Sequence, residues 1–359
     1  MLLTVISLLC ASLIGFTAHR ASLCNVRAVG EVMSNGSAHM LWSLLQAVLW
    51  MATLGGVLTL VVGVPPLPAT LRTPVAWALA GGGLFGLGAA VNGGCSLSTL
   101  HRLADGELGM AATLGGFALG VWCWLIIHFA GPAVDVVSVP SPWLRWTEIA
   151  PWALVALLVW VAWQLRALHR HARQSQASAW AARLLTPTYP LAVAAALLGL
   201  AGGWLYALQG QWSYTGFLRN ALLHRWGAST APPTSHALLV AALVGGMAVS
   251  AWQRGSLRWR HPSRASAWLR HAAGGALMGL GAAMVPGGND TLLLGGLPAF
   301  TATAALAYLS LLLGIASGLV LLRLARVPMP TFACDAGGCS ETRPPAAAPR
   351  SPRRSRRDA

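Results

Sequence analysis

Charged residues are scarce in this sequence of 359 residues. Only 9% of its positions are charged, whereas soluble domains have about 25%. Lysine is absent, so all 24 basic residues are arginine. A soluble protein of this length needs a charged surface that this composition does not provide. Because 56% of the residues are hydrophobic, most of the chain is also too apolar to be disordered. The composition predicts a polytopic membrane protein.

The motifs of several other protein classes are also missing. The first apolar run has neither a basic segment before it nor an Ala-x-Ala cleavage site, so we expect no removable signal peptide. Several of the six cysteines lie inside apolar runs, which excludes the disulfide framework of a small secreted domain. The ten histidines lack metal-ligand spacing, and the GGGLFG stretch at 81–86 has no preceding strand, as a dinucleotide site requires. We therefore expect neither a metal nor a cofactor.

The net charge of +15 would suit a nucleic-acid-binding protein, but the positions of the arginines argue against that class. Most of them lie between long apolar runs, where positive charge orients membrane helices. We therefore expect membrane lipid, and no nucleic acid, as a partner.

Nine apolar runs have lengths close to the roughly 20 mostly apolar residues that a spanning helix needs. The predicted fold is therefore an all-α polytopic membrane protein with short re-entrant or broken helices between some spans. The predicted spans are 1–18, 39–63, 74–91, 109–130, 150–168, 188–208, 235–253, 271–286 and 298–322.

The arginines also predict the orientation. With the N-terminus outside, the inside loops and the tail contain 20 of the 24 arginines. The outside loops contain only Arg72, Arg145, Arg219 and Arg225. Positive charge is retained on the cytoplasmic side of bacterial membranes. We therefore predict a periplasmic N-terminus and a cytoplasmic C-terminus in the inner membrane.

The tail, residues 331–359, differs in composition from the transmembrane domain at 1–325. It contains prolines, an alanine run and a cluster of arginines, which cannot build a core, so we predict a disordered cytoplasmic segment. Contact with anionic lipid is the role that its charge favours. Cys334 and Cys339 form a Cys-x4-Cys pair without a second pair, and we interpret them as bystanders.

An internal repeat divides the domain into two halves. GGGLFGLGAAVNGGCSLSTL at 81–100 recurs as GGALMGLGAAMVPGGNDTLL at 274–293, so that Gly281 follows Gly88 by 193 residues. A weaker match places Arg27 opposite Arg219 at an offset of 192.

The repeats cover about 1–130 and 188–322, with a connector helix at 150–168. Each half would contain four spans, and an odd connector gives the halves opposite orientations. Inverted repeats of this kind form transporters whose substrate site lies between the halves. The alternative is a duplication of glycine-rich helices for packing alone.

Two polar stretches interrupt the apolar pattern, and each contains a cysteine. After the third span, Asn92, Gly93 and Gly94 precede Cys95 and Ser96. Irregular backbone at membrane depth requires burial in protein or a water-filled cavity. N–H groups at such a break favour an anion. A structural cysteine in a packing loop is the alternative.

After the first span, Cys24 lies near Arg20 and Arg27. Nearby positive charge can activate a thiol, although these arginines can equally be positive-inside charge beside an unrelated cysteine.

These stretches resemble the YeeE/YedE family of bacterial membrane proteins, which contain a sulfur-transport domain. The similar segments are SLCNVRA at 22–28, the glycine–cysteine segment at 86–120 and GALMGLGAAMVPGGNDTLLLGGLP at 275–298. The resemblance spans residues 1–325. It implies an inner-membrane carrier of thiosulfate or another small sulfur species. Cysteine thiols along the path, here Cys24 and Cys95, would pass the anion by S–H hydrogen bonds.

The third cysteine of that family is missing from this sequence. Seven residues after Gly88 stands Cys95, but seven residues after Gly281 stands Gly288. We nevertheless expect the second break to line the path through three residues: Gly287, Gly288 and Asn289. Asp290 would repel an anion unless it is paired or turned away.

The leading hypothesis is a permease for a small sulfur-containing anion, and not an enzyme. The first alternative is a membrane-bound sulfurtransferase that forms a cysteine persulfide. The second is a membrane interaction protein that transports nothing. A cytoplasmic sulfur carrier is a conceivable partner, but the sequence does not identify one.

Overall fold

The computed structural model describes residues 2–64, 74–129, 141–174, 186–285, 287–326, 331–335 and 338–342. Its helices in chain order are α1 Leu2–Arg20, α2 Asn25–Asn35, α3 His39–Leu60, α4 Val75–Asn92, α5 Ser96–Ala104, α6 Gly109–Phe129, α7 Pro142–Arg145, α8 Ala150–Gln174, α9 Leu191–Gln209, α10 Tyr214–Arg225, α11 Thr234–Arg254, α12 Ala265–Met284, α13 Asn289–Thr291 and α14 Ala302–Leu324. A π-helical turn, Leu292–Gly296, follows α13, and a hairpin of β1 Thr331–Asp335 and β2 Gly338–Thr342 follows α14.

The prediction of an all-α polytopic membrane protein is confirmed. Each of the nine predicted spans coincides with a long helix. Within the described residues, eight segments are long and apolar enough to cross a membrane. Helix α12 is not among these eight because Arg270 and His271 make its first half more polar. It nevertheless packs against α4 and α6 in the interior of the helix bundle.

The two halves have the same order of long and short helices. Helices α1–α6 follow the order long, short, long, long, short, long, and α9–α14 repeat it. Their contacts form equivalent pairs: α6 packs on α12 as α14 packs on α4, and α1 packs on α11 as α9 packs on α3. Helices α4 and α12 pack on each other where the halves meet, and α8 packs against α3 outside both sets.

Glycines bring α4 and α12 into close antiparallel contact. A Cβ atom at Gly81 would lie 2.9 Å from the carbonyl oxygen of Gly281, and one at Gly88 would lie 2.6 Å from that of Gly274. Higher numbers on one helix therefore face lower numbers on the other. The two repeated helices run in opposite directions, as an inverted repeat requires.

The other glycines of the repeat face the flanking helices. A Cβ atom at Gly86 would lie 2.1 Å from the carbonyl oxygen of Leu311 on α14. At the equivalent Gly279 it would lie 2.0 Å from the carbonyl oxygen of Phe117 on α6. Small residues at membrane helix interfaces let the backbones approach. The repeated glycines thus serve packing and symmetry together.

Two loops that the arginine distribution assigns to the same side of the membrane lie against each other. In the loop after α5, Asp105 accepts a backbone hydrogen bond of 2.9 Å from Arg258 in the loop after α11. The imidazole of His19, at the end of α1, binds the Asp105 carboxylate at 3.0 Å and the Ser250 hydroxyl at 2.8 Å. Burial raises the pKa of the Asp105 carboxyl, but hydrogen bonds from His19 and Ser256 outweigh it and hold that pKa below its usual value.

The beginning of the tail differs from the prediction. Residues 331–342, predicted to be disordered, include an antiparallel hairpin whose first strand contacts α2 and α3. In the strand register Cys334 is opposite Cys339. The arginine-rich remainder, 343–359, lies outside the described residues.

Candidate functional site

The two cysteines singled out in the sequence begin two short helices. Cys24 is the N-terminal cap residue of α2, and Cys95 is that of α5. Both are free thiols, 3% and 1% exposed. The two thiols lie near each other and interact. The N-termini of α2 and α5 therefore meet at a buried pair of thiols, the thiol pair below.

Backbone N–H groups surround this thiol pair. The Cys24 sulfur faces the N–H groups of Arg27 and Cys95, and the Cys95 sulfur faces those of Ser98 and Asn25. The first N–H groups of a helix have no partner within the helix, and the helix dipole adds positive potential there. Together they make a site that suits an anion.

Asn25 contributes a side chain that sequence reasoning missed. It is 1% exposed, and its amide nitrogen, Nδ2, is buried with no hydrogen-bond partner among the described residues. Its amide oxygen accepts a hydrogen bond of 3.2 Å from the hydroxyl of Tyr308 on α14. Buried polar groups in folded proteins normally have partners. The vacant donor next to the thiol pair is therefore available to a ligand.

Asn92 holds the first break together. Its amide nitrogen donates to the carbonyl oxygen of Gly94 and to the hydroxyl of Thr99, at 3.0 and 3.1 Å. Its amide oxygen accepts from Thr113 and binds the ring of His271, at 2.8 and 2.9 Å. The side chain is thus fully engaged by protein groups, and its role is to position the break.

The glycines of the first break complete the end of α4. Gly93 has a φ of +78° and is the C-terminal cap residue, a left-handed conformation that favours glycine. The N–H groups of Gly93 and Gly94 donate to the carbonyl oxygens of Ala90 and Ala89. The expectation that these glycine N–H groups face the path is therefore wrong, because helix capping uses them. The N–H groups around the sulfurs belong to the helices that follow each cysteine.

The second half has a different arrangement at its short helices. Ser213 is the N-terminal cap residue of α10 and accepts from the N–H of Gly216 at 3.1 Å. The Asp290 carboxylate accepts a hydrogen bond of 3.0 Å from the N–H of Thr215 and a second one from the hydroxyl of that residue. A carboxylate of the protein itself thus occupies the N-terminus of α10.

The position of the missing cysteine is crowded. Gly288 is the N-terminal cap residue of α13, as Cys95 is of α5, which confirms the offset of 193. A Cβ atom at Gly288 would lie 2.9 Å from both the Phe85 ring and the Thr215 hydroxyl oxygen. Gly287, with a φ of +132°, has the Thr291 side chain against its Cα. A cysteine at position 288 would not fit without rearrangement.

One hydrogen bond connects the two breaks directly. The hydroxyl of Ser96, next to Cys95, donates to the amide oxygen of Asn289, next to Asp290. The hydroxyl of Tyr214 on α10 adds a bond of 2.9 Å to the Ser96 carbonyl oxygen. The predicted residues of both halves therefore meet at one buried location.

The weaker part of the repeat needs a correction. Arg27 lies in the first turn of α2, whereas Arg219 lies in the second turn of α10. The two helices begin at Asn25 and Tyr214, an offset of 189 residues, which is one helical turn less than the offset of the arginines. The Ser-Tyr-Thr-Gly sequence at 213–216 contains the cap signal, because serine is a preferred N-terminal cap residue.

Comparison with known proteins identifies the family of this chain. The family model described as sulphur transport matches residues 20–317. The chain belongs to the sulphur transport family. The thiosulfate transporter TsuA of Spirochaeta thermophila is 28% identical over 265 residues, which is 65% of this chain and 74% of that protein. Membership of the sulphur transport family confirms the resemblance that the three segments of the sequence indicated.

Proposed function

We propose that this protein is an inner-membrane permease for a small sulfur-containing anion such as thiosulfate. The observation that carries the proposal is the thiol pair, Cys24 and Cys95, at the meeting point of two short helices. The similarity to a thiosulfate transporter supports the same substrate class.

The chemistry around the thiol pair suits passage rather than storage of an anion. A permease must bind its substrate strongly enough for entry and weakly enough for release. Thiols are weak S–H donors, and the N–H groups of Asn25, Arg27, Cys95 and Ser98 are neutral. The Asn25 amide adds one more neutral donor. These neutral donors supply the direct hydrogen bonds to a desolvated anion, and the charge of Arg27 adds positive potential near Cys24.

The second candidate function is a membrane-bound sulfurtransferase, which the contact between the two thiols favours. A thiolate of Cys24 or Cys95 would accept the outer sulfur of thiosulfate as a persulfide, and sulfite would leave. The other cysteine would then be placed to accept that outer sulfur as its own persulfide, which regenerates the first thiol. Among the described residues, however, the interactions of either thiol include no imidazole or carboxylate to serve as a base.

Uptake of radiolabelled thiosulfate, by cells that lack other carriers, tests the proposal. We expect Cys95→Ala and Cys24→Ala to abolish or sharply reduce uptake at near-normal membrane abundance. Replacing a small buried thiol costs only about 1 kcal/mol of stability. Loss of a donor to a desolvated anion costs several kcal/mol. Cys95→Ser should restore part of the uptake of a permease, because a hydroxyl still donates, but none of the activity of a sulfurtransferase.

Two other cysteines provide matched controls. Cys10 on α1 and Cys123 on α6 are free thiols that are only partly buried. Cys10→Ala and Cys123→Ala should take up thiosulfate at the wild-type rate. Normal uptake by both Cys24→Ala and Cys95→Ala would refute the site assignment. A wild-type protein without any uptake would favour an interaction protein that transports nothing.

A further inference from the structure

The two halves differ in the charge at the start of their short helices. In the first half, α2 and α5 begin at thiols. In the second half, the carboxylate of Asp290 occupies the N-terminus of α10 and is only 4% exposed. Its oxygen atoms also face the N–H groups of Thr291 and of Asp290 itself. The second half therefore holds a built-in anion at the place where the first half leaves the donors for a substrate.

Hydrogen bonds and the positive end of the α10 dipole stabilise this carboxylate, without an ion pair, within the part of the chain that the structure describes. No described arginine or histidine forms an ion pair with Asp290. Hydrogen-bond donors satisfy the oxygen atoms but leave the negative charge uncancelled. A buried, unpaired charge is costly, and ionisable residues inside membrane proteins usually mark a functional site. Burial of the Asp290 charge therefore costs free energy, and the packing of the protein does not explain why that charge is present.

The charge lies within electrostatic reach of the thiol pair. Cys95 and Asp290 are each one residue away from the hydrogen bond that joins Ser96 to Asn289. Tyr214, which donates to the Ser96 carbonyl oxygen at 2.9 Å, is the first residue of α10, the helix whose N-terminus the Asp290 carboxylate occupies. An anion at the thiol pair would therefore be repelled by Asp290. The repulsion is proportional to the charge of that anion.

We propose that Asp290 sets the charge selectivity of the pathway. Its carboxylate disfavours doubly charged anions relative to singly charged anions of the same shape. The inference rests on the proposed permease function and deepens it. Gly288 stands at the position equivalent to Cys95, and the fixed negative charge follows it two residues later.

A pair of matched substrates tests the proposal. Methanethiosulfonate replaces one charged oxygen of thiosulfate with a methyl group and is a monoanion of similar shape. We expect Asp290→Asn to raise the uptake ratio of thiosulfate to methanethiosulfonate by about tenfold or more. The variant removes one negative charge near the thiol pair, and this charge repels the dianion more than the monoanion. Asp290→Glu, which retains the charge, should keep the wild-type ratio. Glu148→Gln, which removes an exposed carboxylate after α7, is the matched control and should also keep it.

The ratio separates this role from a merely structural one. A structural defect lowers the uptake of both anions together, whereas a charge effect changes one relative to the other. If Asp290→Asn does not reach the membrane, the smaller neutral variant Asp290→Ser should raise the uptake ratio in the same way. An unchanged ratio, or loss of both activities at normal abundance, would overturn the inference while Cys95-dependent uptake by the wild type still supports the permease. Absence of Cys95-dependent uptake in the wild type would instead overturn the proposed function.

Discussion

At the scale of single residues, the thiol pair depends on a neighbour that has neither sulfur nor charge. Asn25 is held by Tyr308 through its amide oxygen, and its amide nitrogen remains vacant among the described residues. Cys24 and Cys95 alone would offer two weak donors. The Asn25 amide is a stronger donor than a thiol, and Asn25 directly follows Cys24 in the sequence.

We therefore predict that Asn25→Asp nearly abolishes thiosulfate uptake. The variant replaces an N–H donor with a carboxylate of the same shape, and this carboxylate repels the anion. Asn25→Ala removes one hydrogen bond to a charged group, which is typically worth about 1.5–3 kcal/mol, or roughly a tenfold to hundredfold rise in KM. Initial uptake rates over a range of thiosulfate concentrations in membrane vesicles measure both effects.

Asn220→Asp is the matched control, because Asn220 is exposed on α10 and its amide oxygen accepts an exposed hydrogen bond from Arg219. It should transport like the wild type. Asn25→Asp with wild-type kinetics would remove Asn25 from the binding site and leave the cysteines as the remaining assignment.

The residues that the sequence could identify are those with a local signal. Cys24 and Cys95 stand out because each follows an interruption of an apolar run. Thr215 and Asp290 meet across 75 residues of sequence, and no local pattern records that contact. The vacant amide of Asn25 is also invisible in the sequence, because a missing partner is a property of three-dimensional packing.

At the scale of helices, the repeated glycines decide how closely the halves pack. Gly279 on α12 faces the backbone of α6, and its equivalent Gly86 on α4 faces the backbone of α14. Neither contact leaves room for a methyl group. Because the neighbouring atoms are backbone carbonyls, a larger residue must separate two helices.

We predict that Gly279→Ala destabilises the protein. The added Cβ would lie 2.0 Å from the Phe117 carbonyl oxygen, and overpacking of a tight interface costs about 1–3 kcal/mol or more. The midpoint of thermal unfolding of the purified protein in detergent should fall. Gly86→Ala should behave alike, because its contact is equivalent.

Gly245→Ala on α11 is the matched control, since a Cβ there meets no atom within 4 Å. It should be neutral or raise the midpoint, because alanine is a better helix former than glycine by about 1 kcal/mol. Equal midpoints for Gly279→Ala and Gly245→Ala would contradict the close packing of α12 on α6.

The long helices were predictable, whereas the short helices of the second half were not. Apolar length and composition alone locate all nine long helices, because a spanning helix must be apolar over most of its length. Helix α13 and the π-helical turn Leu292–Gly296 fall between the predicted spans 271–286 and 298–322, where the sequence predicts a break but not the bounds of its helical turns. Side-chain contacts with Ser96 of the first half and Thr215 of α10, which no local propensity encodes, hold this segment in place.

At the scale of the whole molecule, the inverted repeat links symmetry with orientation. If all nine long helices of the described residues cross the membrane, this odd number puts the two ends of the domain on opposite sides. The loops after α5 and α11 pair with each other and with the end of α1. These are segments that the arginine distribution assigns to the cytoplasmic side. The fold therefore supports placing all three segments on the same side of the membrane. The arginine distribution predicts that this side is the cytoplasm.

We predict a periplasmic N-terminus and a cytoplasmic loop after α11. The reason is electrostatic: in this orientation 20 of the 24 arginines remain on the cytoplasmic side, where they need not be translocated. Alkaline phosphatase, which is active only in the periplasm, should be active when fused before Leu2 or after Glu148, and inactive after Ser256 or Leu324. A fluorescent protein that folds only in the cytoplasm should give the reverse pattern. Activity at both Leu2 and Leu324 with the same reporter would refute the odd number of spans, and a complete reversal would refute the assignment from the arginines while leaving the inverted repeat intact.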